Sequence, residues 1–150
     1  MRVRAALAAG GFASDVVTFP ESTRTAAEAA AAIGCTVAQI AKSLVFRSRD
    51  TVRPVLVLAS GVNRVDERKV AAALGEPIAR ADAEFVRVAT GYAIGGVPPL
   101  AHATPSVVFV DAALAAHDPL WAAAGTPHAV FRTRFADLVR MTEGRVIAIA

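Results

Sequence analysis

The sequence predicts a single domain of the mixed α/β or α+β class, helices flanking a mixed β-sheet, over residues 1–150. Three observations lead there. The chain has 150 residues, 55% of them hydrophobic, the length of one domain with enough apolar surface to bury a core. Capped helical stretches alternate with short β-branched runs from end to end, and no repeat, low-complexity linker or run of like charge marks a boundary. Some successive strands have connections too short for a helical crossover, so the sheet must combine antiparallel and parallel neighbours.

The elements follow in order. Two Arg ahead of an Ala stretch at the start imitate a signal peptide, but the apolar part holds one Leu and is interrupted by Gly10 and Gly11. It reads instead as a short surface helix. Thr25-Ala-Ala-Glu28 is a capping box, in which each side chain satisfies a free backbone amide of a helix start. That helix runs to Ile33 and stops at Gly34, a residue suited to the left-handed cap. A second box, Thr36-Val-Ala-Gln39, predicts a short helix to about Ala41. Ser43–Phe46 and Val52–Leu58 are β-branched runs that read as a hairpin, with Pro54 near the start of its second strand. Asp66–Leu74 is a helix with Gly75 after it, and Asp82–Ala89 is a short helix entered through an Asp cap. Thr90–Pro99 carries three Gly and two Pro, which makes it a shaped loop. Ser106–Val110 is a buried strand followed by a short helix capped by Asp111; Ala129–Arg132 is a strand, Phe135–Met141 a helix and Val146–Ile149 the last strand.

Composition narrows the function. Only 19% of residues are charged, and a chain this apolar does not stay disordered. No segment reaches the roughly 18 to 20 continuous apolar residues of a membrane helix, and the lone Cys35 rules out an internal disulfide. A soluble, cytoplasmic protein is expected. Of sixteen basic residues fourteen are Arg, so Lys42 and Lys69 stand out against their background.

Candidate chemistry is sparse. His102, His117, His128 and Cys35 show none of the close ligand pairs of a zinc site. Cys35 sits between two helix termini, a position that favours packing over nucleophilic chemistry, and no GxSxG elbow is present. The loop Gly91–Pro99 lacks the GK[ST] ending of a phosphate-binding loop. Gly95 and Gly96 allow close backbone approach to a ligand, and Pro98 and Pro99 stiffen the segment. Such a loop suits a carbonyl whose negative charge grows during reaction, or it is simply a tight turn at a sheet edge. Lys42, placed at a helix end before a strand, is either a phosphate partner or a surface cation favoured by the helix dipole. His128 at a loop-to-strand junction is an acid, a base or a structural group.

Four segments occur together in order: Ile40-Ala-Lys-Ser-Leu-Val-Phe46, Gly91-Tyr-Ala-Ile-Gly-Gly-Val-Pro-Pro99, Val108-Phe-Val-Asp111 and Gly125-Thr-Pro-His128. From about Thr25 to Ile149 the chain resembles the YbaK/EbsC family, free-standing relatives of the editing domain of bacterial prolyl-tRNA synthetases. The resemblance implies a curved mixed sheet flanked by helices and hydrolysis of a wrongly attached amino acid from tRNA. It implies no cofactor and no metal. Lys42 matches the family's active-site Lys, which holds the terminal nucleotide, and Gly95-Gly-Val-Pro-Pro99 matches the loop that shapes the aminoacyl pocket. The candidate catalytic residues are therefore Lys42, Gly95 and Gly96. The candidate substrate-binding residues are Ser43, Val97, Pro98, Pro99, Asp111 and His128. Family members often carry Gly-His after the loop where this chain has Ala101-His102. The part before Thr25 matches poorly, with Phe19 a candidate pocket wall.

The substrate expected from the resemblance is mischarged tRNA-Pro bearing Ala, Cys, Ser or Thr, bound through its terminal adenosine and aminoacyl group. Prolyl-tRNA synthetase is a candidate partner, and no membrane is involved. A net charge of +3 and a pI near 9.7 suit contact with a tRNA end through Arg47, Arg49 and Arg53 rather than a broad basic surface. No triad or metal activates water, which suggests assistance from the substrate's own ribose 2′-hydroxyl. The alternative is a non-catalytic module of the same fold that binds aminoacyl-tRNA or a synthetase.

Overall fold

A computed structural model describes residues 2–150; Met1, the first residue of the stretch read above as a helix, lies outside them. The order is α1 (Arg2–Ala9), β1 (Val16–Thr18), α2 (Ala26–Ile33), β2 (Ile40–Ser48), β3 (Pro54–Ser60), α3 (Glu67–Leu74) and β4 (Ile78–Arg80). There follow α4 (Ala83–Thr90), β5 (Val107–Asp111), β6 (Leu120–Ala123), β7 (Ala129–Thr133), α5 (Phe135–Thr142) and β8 (Arg145–Ile147). Single 3-10 turns cover Val37–Gln39 and Ala112–Ala116. Among the described residues no helix is long and apolar enough to cross a membrane.

The capping chemistry read from sequence holds at most of these helices. Thr25 and Glu28 satisfy each other's backbone amides, and Gly34 closes α2 at φ +84°. Asp66 and Asp82 cap α3 and α4 through their carboxylates. The second box behaves differently. Gln39 Oε1 accepts from the Thr36 amide at 3.0 Å and from the Thr36 hydroxyl at 3.2 Å, but the box opens no α-helix. One 3-10 turn forms there, and β2 starts at Ile40, ahead of the expected Ser43, because Ile40 and Ala41 pair with Trp121 and Ala122 of β6. Lys42 therefore lies on a strand and not at a helix end.

Eight strands among the described residues form one mixed sheet in the order β1-β7-β6-β2-β3-β5-β8, with β4 added against β2. β2 and β3 make the expected hairpin, in register from Ala41 with Ser60 to Arg47 with Pro54. β2–β6, β3–β5 and β5–β8 are parallel. β1, β4 and β6, with three or four residues each, were not expected, since such lengths carry too little periodicity to register.

β3 is the centre of the core. Val55, Leu56, Val57, Leu58 and Ala59 are all 0% exposed, which is why this strand reads as a continuous apolar run. Leu56 and Leu58 pack on one face with Val86, Leu114 and Leu138, and Val55 and Val57 on the other with Val70, Phe109 and Ile149. α1 is more than a surface helix, for Val3 and Leu7 enter the first of these layers.

Leu58→Ala should lower unfolding free energy by about 2 to 5 kcal/mol through lost burial and a residual cavity. Val62→Ala, at a side chain 64% exposed, should change it by less than about 0.5 kcal/mol. Urea unfolding of the two variants beside the parent protein checks the contrast.

Candidate functional site

One edge of β2 pairs with β3 throughout, but its other edge meets β6 only at Ile40 and Ala41 and β4 only at Phe46 to Ser48. A gap is left between. Antiparallel pairing alternates the direction of the backbone groups, and the Ser48 amide donates to the Arg53 carbonyl within the hairpin. Even-numbered β2 residues thus bond toward β3, while Ser43 and Val45 turn their amide and carbonyl toward the gap. Two cavities open there. One, of about 410 Å³, lies between β2, the start of α2, β6 and the Gly-rich loop. The other, of about 340 Å³, lies toward Phe46, Arg64, Arg80 and Val86. Ser43, Leu44, Ile94 and Val97 line both, so the loop divides a single cleft.

Lys42 lies on the wall of the larger cavity, half-buried, with Nζ 3.5 Å from the Gly61 carbonyl. Burial pulls its pKa below the ordinary lysine value, and the negative charge of Asp111 pushes back. Next to it, Ser43 Oγ is buried with no hydrogen-bond partner among the described residues. A hydroxyl left so costs about 1 to 3 kcal/mol, and this one sits where a ligand can satisfy it.

The Gly-rich loop divides its residues between two tasks. Gly95, at φ +92°, faces the larger cavity beneath the alkyl stem of Arg24. An added Cβ at Gly95 would stand 2.3 Å from Arg24 Cγ. The Gly96 amide is committed to the Ala93 carbonyl at 3.0 Å, and a Cβ there would lie 2.8 Å from the Thr126 carbonyl carbon. Gly96 therefore joins the loop to the Gly125–His128 segment and does not front the cavity. Val97 lines it; Pro98 and Pro99 are buried behind it.

His102 secures that arrangement. Its Nε2 is 2.6 Å from the Pro98 carbonyl and its Nδ1 3.1 Å from Ser106 Oγ. A carbonyl only accepts, so Nε2 carries the proton, and burial pulls the ring's pKa below its ordinary value. Ala101 beside it adopts φ +65°, a left-handed conformation that favours glycine, at the position where the related pattern has Gly.

Asp111 and His128 do not line the cavity. Asp111 is 2% exposed, and its carboxylate accepts from the Ser60 amide (3.0 Å), Asn63 Nδ2 (2.9 Å) and the Ala113 amide (2.9 Å). His128 is exposed. Its Nδ1 donates to the Glu21 carbonyl at 2.9 Å, and its own carbonyl accepts from the Phe19 amide at 2.8 Å. With Thr23, which donates from its amide and hydroxyl to the Pro127 carbonyl, it ties the chain before α2 to the start of β7. Phe19 lies in this tie and off the cavity wall.

Thr23, Arg24 and Trp121 do line the cavity and were missed from sequence. Arg24 stands one residue before the Thr25 cap, a signal that was available. Trp121 belongs to the unrecognised β6. Of the basic cluster on the hairpin, Arg53 is held by Glu76 at 3.3 Å, while Arg47 and Arg49 have no carboxylate partner among the described residues. Cys35 packs beside Ala29, Ala30 and Ile40, and burial raises its thiol pKa.

The sequence profile of the aminoacyl-tRNA editing domain matches residues 20–141. The crystal structure of a candidate trans-editing enzyme for prolyl-tRNA synthetase is similar at a TM-score of 0.91 and 45% identity, covering 99% of this chain and 94% of that one. The crystal structure of the hypothetical protein APE2540 is similar at a TM-score of 0.92 and 28% identity, covering 99% of both chains. YwhH of Bacillus subtilis strain 168, an uncharacterised protein, is 32% identical over 113 residues, 75% of this chain and 71% of its own length.

Two substitutions in the loop should move stability in opposite directions. Ala101→Gly removes left-handed strain of about 1 to 2 kcal/mol and adds back unfolded-state entropy of about 0.4 to 1 kcal/mol, a net gain of up to about 1.6 kcal/mol. Gly96→Ala forces a methyl against backbone that has no free rotamer, and should cost about 1 to 3 kcal/mol. Thermal and urea unfolding of both variants provide the check.

Proposed function

The chain belongs to the aminoacyl-tRNA editing domain family, and from that membership we propose that it is a trans-editing deacylase. It cleaves the ester linking a small amino acid, Ala, Cys, Ser or Thr, to the terminal adenosine of tRNA-Pro. The observation that carries this reading is the cleft in the sheet, with Lys42 and the unpartnered Ser43 hydroxyl on one side and Gly95 on the other. An aminoacyl ester is already activated, so the site needs no strong nucleophile. It must hold the terminal nucleotide, orient water and stabilise the oxyanion.

The residues divide those tasks. Lys42 supplies a cation to the nucleotide or the developing oxyanion, and Arg24, on the same wall, supplies a second cation at the mouth. Because the Gly96 amide is taken by Ala93, the loop's share of oxyanion donation falls to the Gly95 amide. Trp121 gives the larger cavity its aromatic surface, on which an adenine can stack with about 1 to 3 kcal/mol. Water adds to the ester carbonyl, the bond to the ribose 3′-oxygen breaks, and that oxygen takes the proton. The neighbouring 2′-hydroxyl relays it, since no side chain on the wall is a neutral base. Prolyl-tRNA synthetase, whose product is the substrate, is the expected partner.

A panel of tRNA-Pro charged with Ala, Cys, Ser, Thr or Pro tests the reading. At least one small aminoacyl ester should be cleaved well above the buffer rate, and Lys42→Ala should lower kcat/KM by about 100-fold or more. A terminal 2′-deoxyadenosine substrate should be cleaved far more slowly. If none of the esters is cleaved faster than in buffer, the protein is a binding module and not a hydrolase.

Ser43→Ala gives a separate check. Removing an unpartnered buried hydroxyl should not lower stability and should raise it by up to about 1 to 3 kcal/mol. KM for the cleaved ester should rise, and equality of KM with the parent would remove Ser43 from the binding surface.

A further inference from the structure

Asp111 lies at the end of β5 and is buried, yet the chemistry above does not use its charge. The sheet register places it with care. Lys42 of β2 pairs with Ala59 of β3, and Val110 of β5 pairs with Leu58. Asp111 therefore stands beside Ala59 on the far side from Lys42. The three residues form one row across three strands, with their side chains on the same face. Strand spacing puts the outer two Cα atoms about 10 Å apart, and between them is a fully buried alanine. In that row only a methyl side chain stands between them.

The same carboxylate also grips the turn that carries Lys42's hydrogen-bond acceptor. Oδ2 takes the Ser60 amide at 3.0 Å and Asn63 Nδ2 at 2.9 Å. The Asn63 amide closes the turn on the Ser60 carbonyl at 2.9 Å, and Gly61 within it offers its carbonyl to Lys42 Nζ. The other charged side chain on the cavity wall is Arg24, a cation like Lys42; Arg64, Glu67 and Arg80 line the second cavity.

We propose that Asp111 is a positioning residue for Lys42: it holds the ammonium at the cavity wall through the Ser60–Asn63 turn and through its own charge across Ala59. It does not touch substrate. Its consequence for deacylation rests on the role proposed for Lys42, whereas its action on Lys42 does not. Asp111 opposes the desolvation that lowers the Lys42 pKa, so removing its charge lowers that pKa further. An activity that needs the ammonium is then lost at lower pH as pH rises.

The chain's two lysines make the test direct. Protein labelled with ¹³C at lysine Cε gives two signals, with Lys69, exposed on α3, as the internal reference. In Asp111→Asn the Lys42 midpoint should fall, by less than the roughly 1 to 3 units of a contact pair, while Lys69 stays in place. Asn63→Ala keeps the charge and removes one bond to it, so its Lys42 midpoint should stay at or above that of the parent. If Asp111→Asn does not fold, the Asp111 carboxyl ¹³C signal of the parent protein decides: it should shift as Lys42 titrates, and a signal flat through that titration overturns the proposal.

A folded Asp111→Asn with an unmoved Lys42 midpoint overturns the proposal, as does a fall in Asn63→Ala. With a cleaved ester, the alkaline limb of kcat/KM in Asp111→Asn should move down with the midpoint. A shifted midpoint without any deacylation would sustain the positioning role while the deacylase reading fails.

Discussion

The structure turns on an interruption in β2 pairing. A strand inside an eight-stranded sheet normally spends both edges on neighbours, and buried backbone groups left unpaired cost about 1 to 3 kcal/mol each. Here β6 covers the first two residues of β2 and β4 the last three. Ser43 and Val45 face a cleft that only solvent or a ligand's polar groups can satisfy. The sheet tolerates this because the opposite edge of β2 is paired without interruption to β3, the most buried strand of the fold. Rigidity on one side makes the opening on the other affordable.

The loop that divides the cleft is held from behind. Gly96 rests against Thr126, His102 donates to Pro98, and Tyr92 donates to the Ala101 carbonyl at 3.1 Å. Each contact lies away from the cavity, so Gly95 and Val97 are presented by a frame that owes nothing to a ligand. Preorganisation of that kind is what an oxyanion site requires, since donors that must reorganise during reaction lose most of their value. Gly125–His128 extends the same frame to the chain before α2. His128, far from being a pocket residue, helps to place Arg24.

What could be read from the residues follows from how local the signals are. The caps of α2, α3 and α4 and the β2–β3 hairpin depend on neighbours in sequence, and they were legible. The starting point of β2 was not, because Trp121 and Ala122, some eighty positions later, draw Ile40 and Ala41 into the sheet over the weak preference of Thr36 for a helix. Lys42 and Gly95 were identifiable through motif order. Asp111 and His128, taken with them, do not line the cavity, since motif order reports proximity in the fold and not the direction a side chain takes. Arg24 and Trp121 belong to no matched segment, and only the folded sheet brings them to the wall.

The alanine content of the chain acquires a physical meaning at this wall. Ala26, Ala29, Ala41, Ala122 and Ala123 all line the larger cavity, so its volume is set by side chains that are small. A size filter built in this way discriminates by what it excludes, and each methylene is worth only about 1 to 3 kcal/mol. Such a site cannot separate Ala from Ser sharply, whereas proline's ring adds two methylenes to the Ala side chain. Selection against the correct amino acid can then be strong while selection among the incorrect ones stays weak. Under the proposed function, that asymmetry is what editing after a prolyl-specific synthesis step needs, because releasing a correct ester wastes the synthesis and releasing any small incorrect one does not.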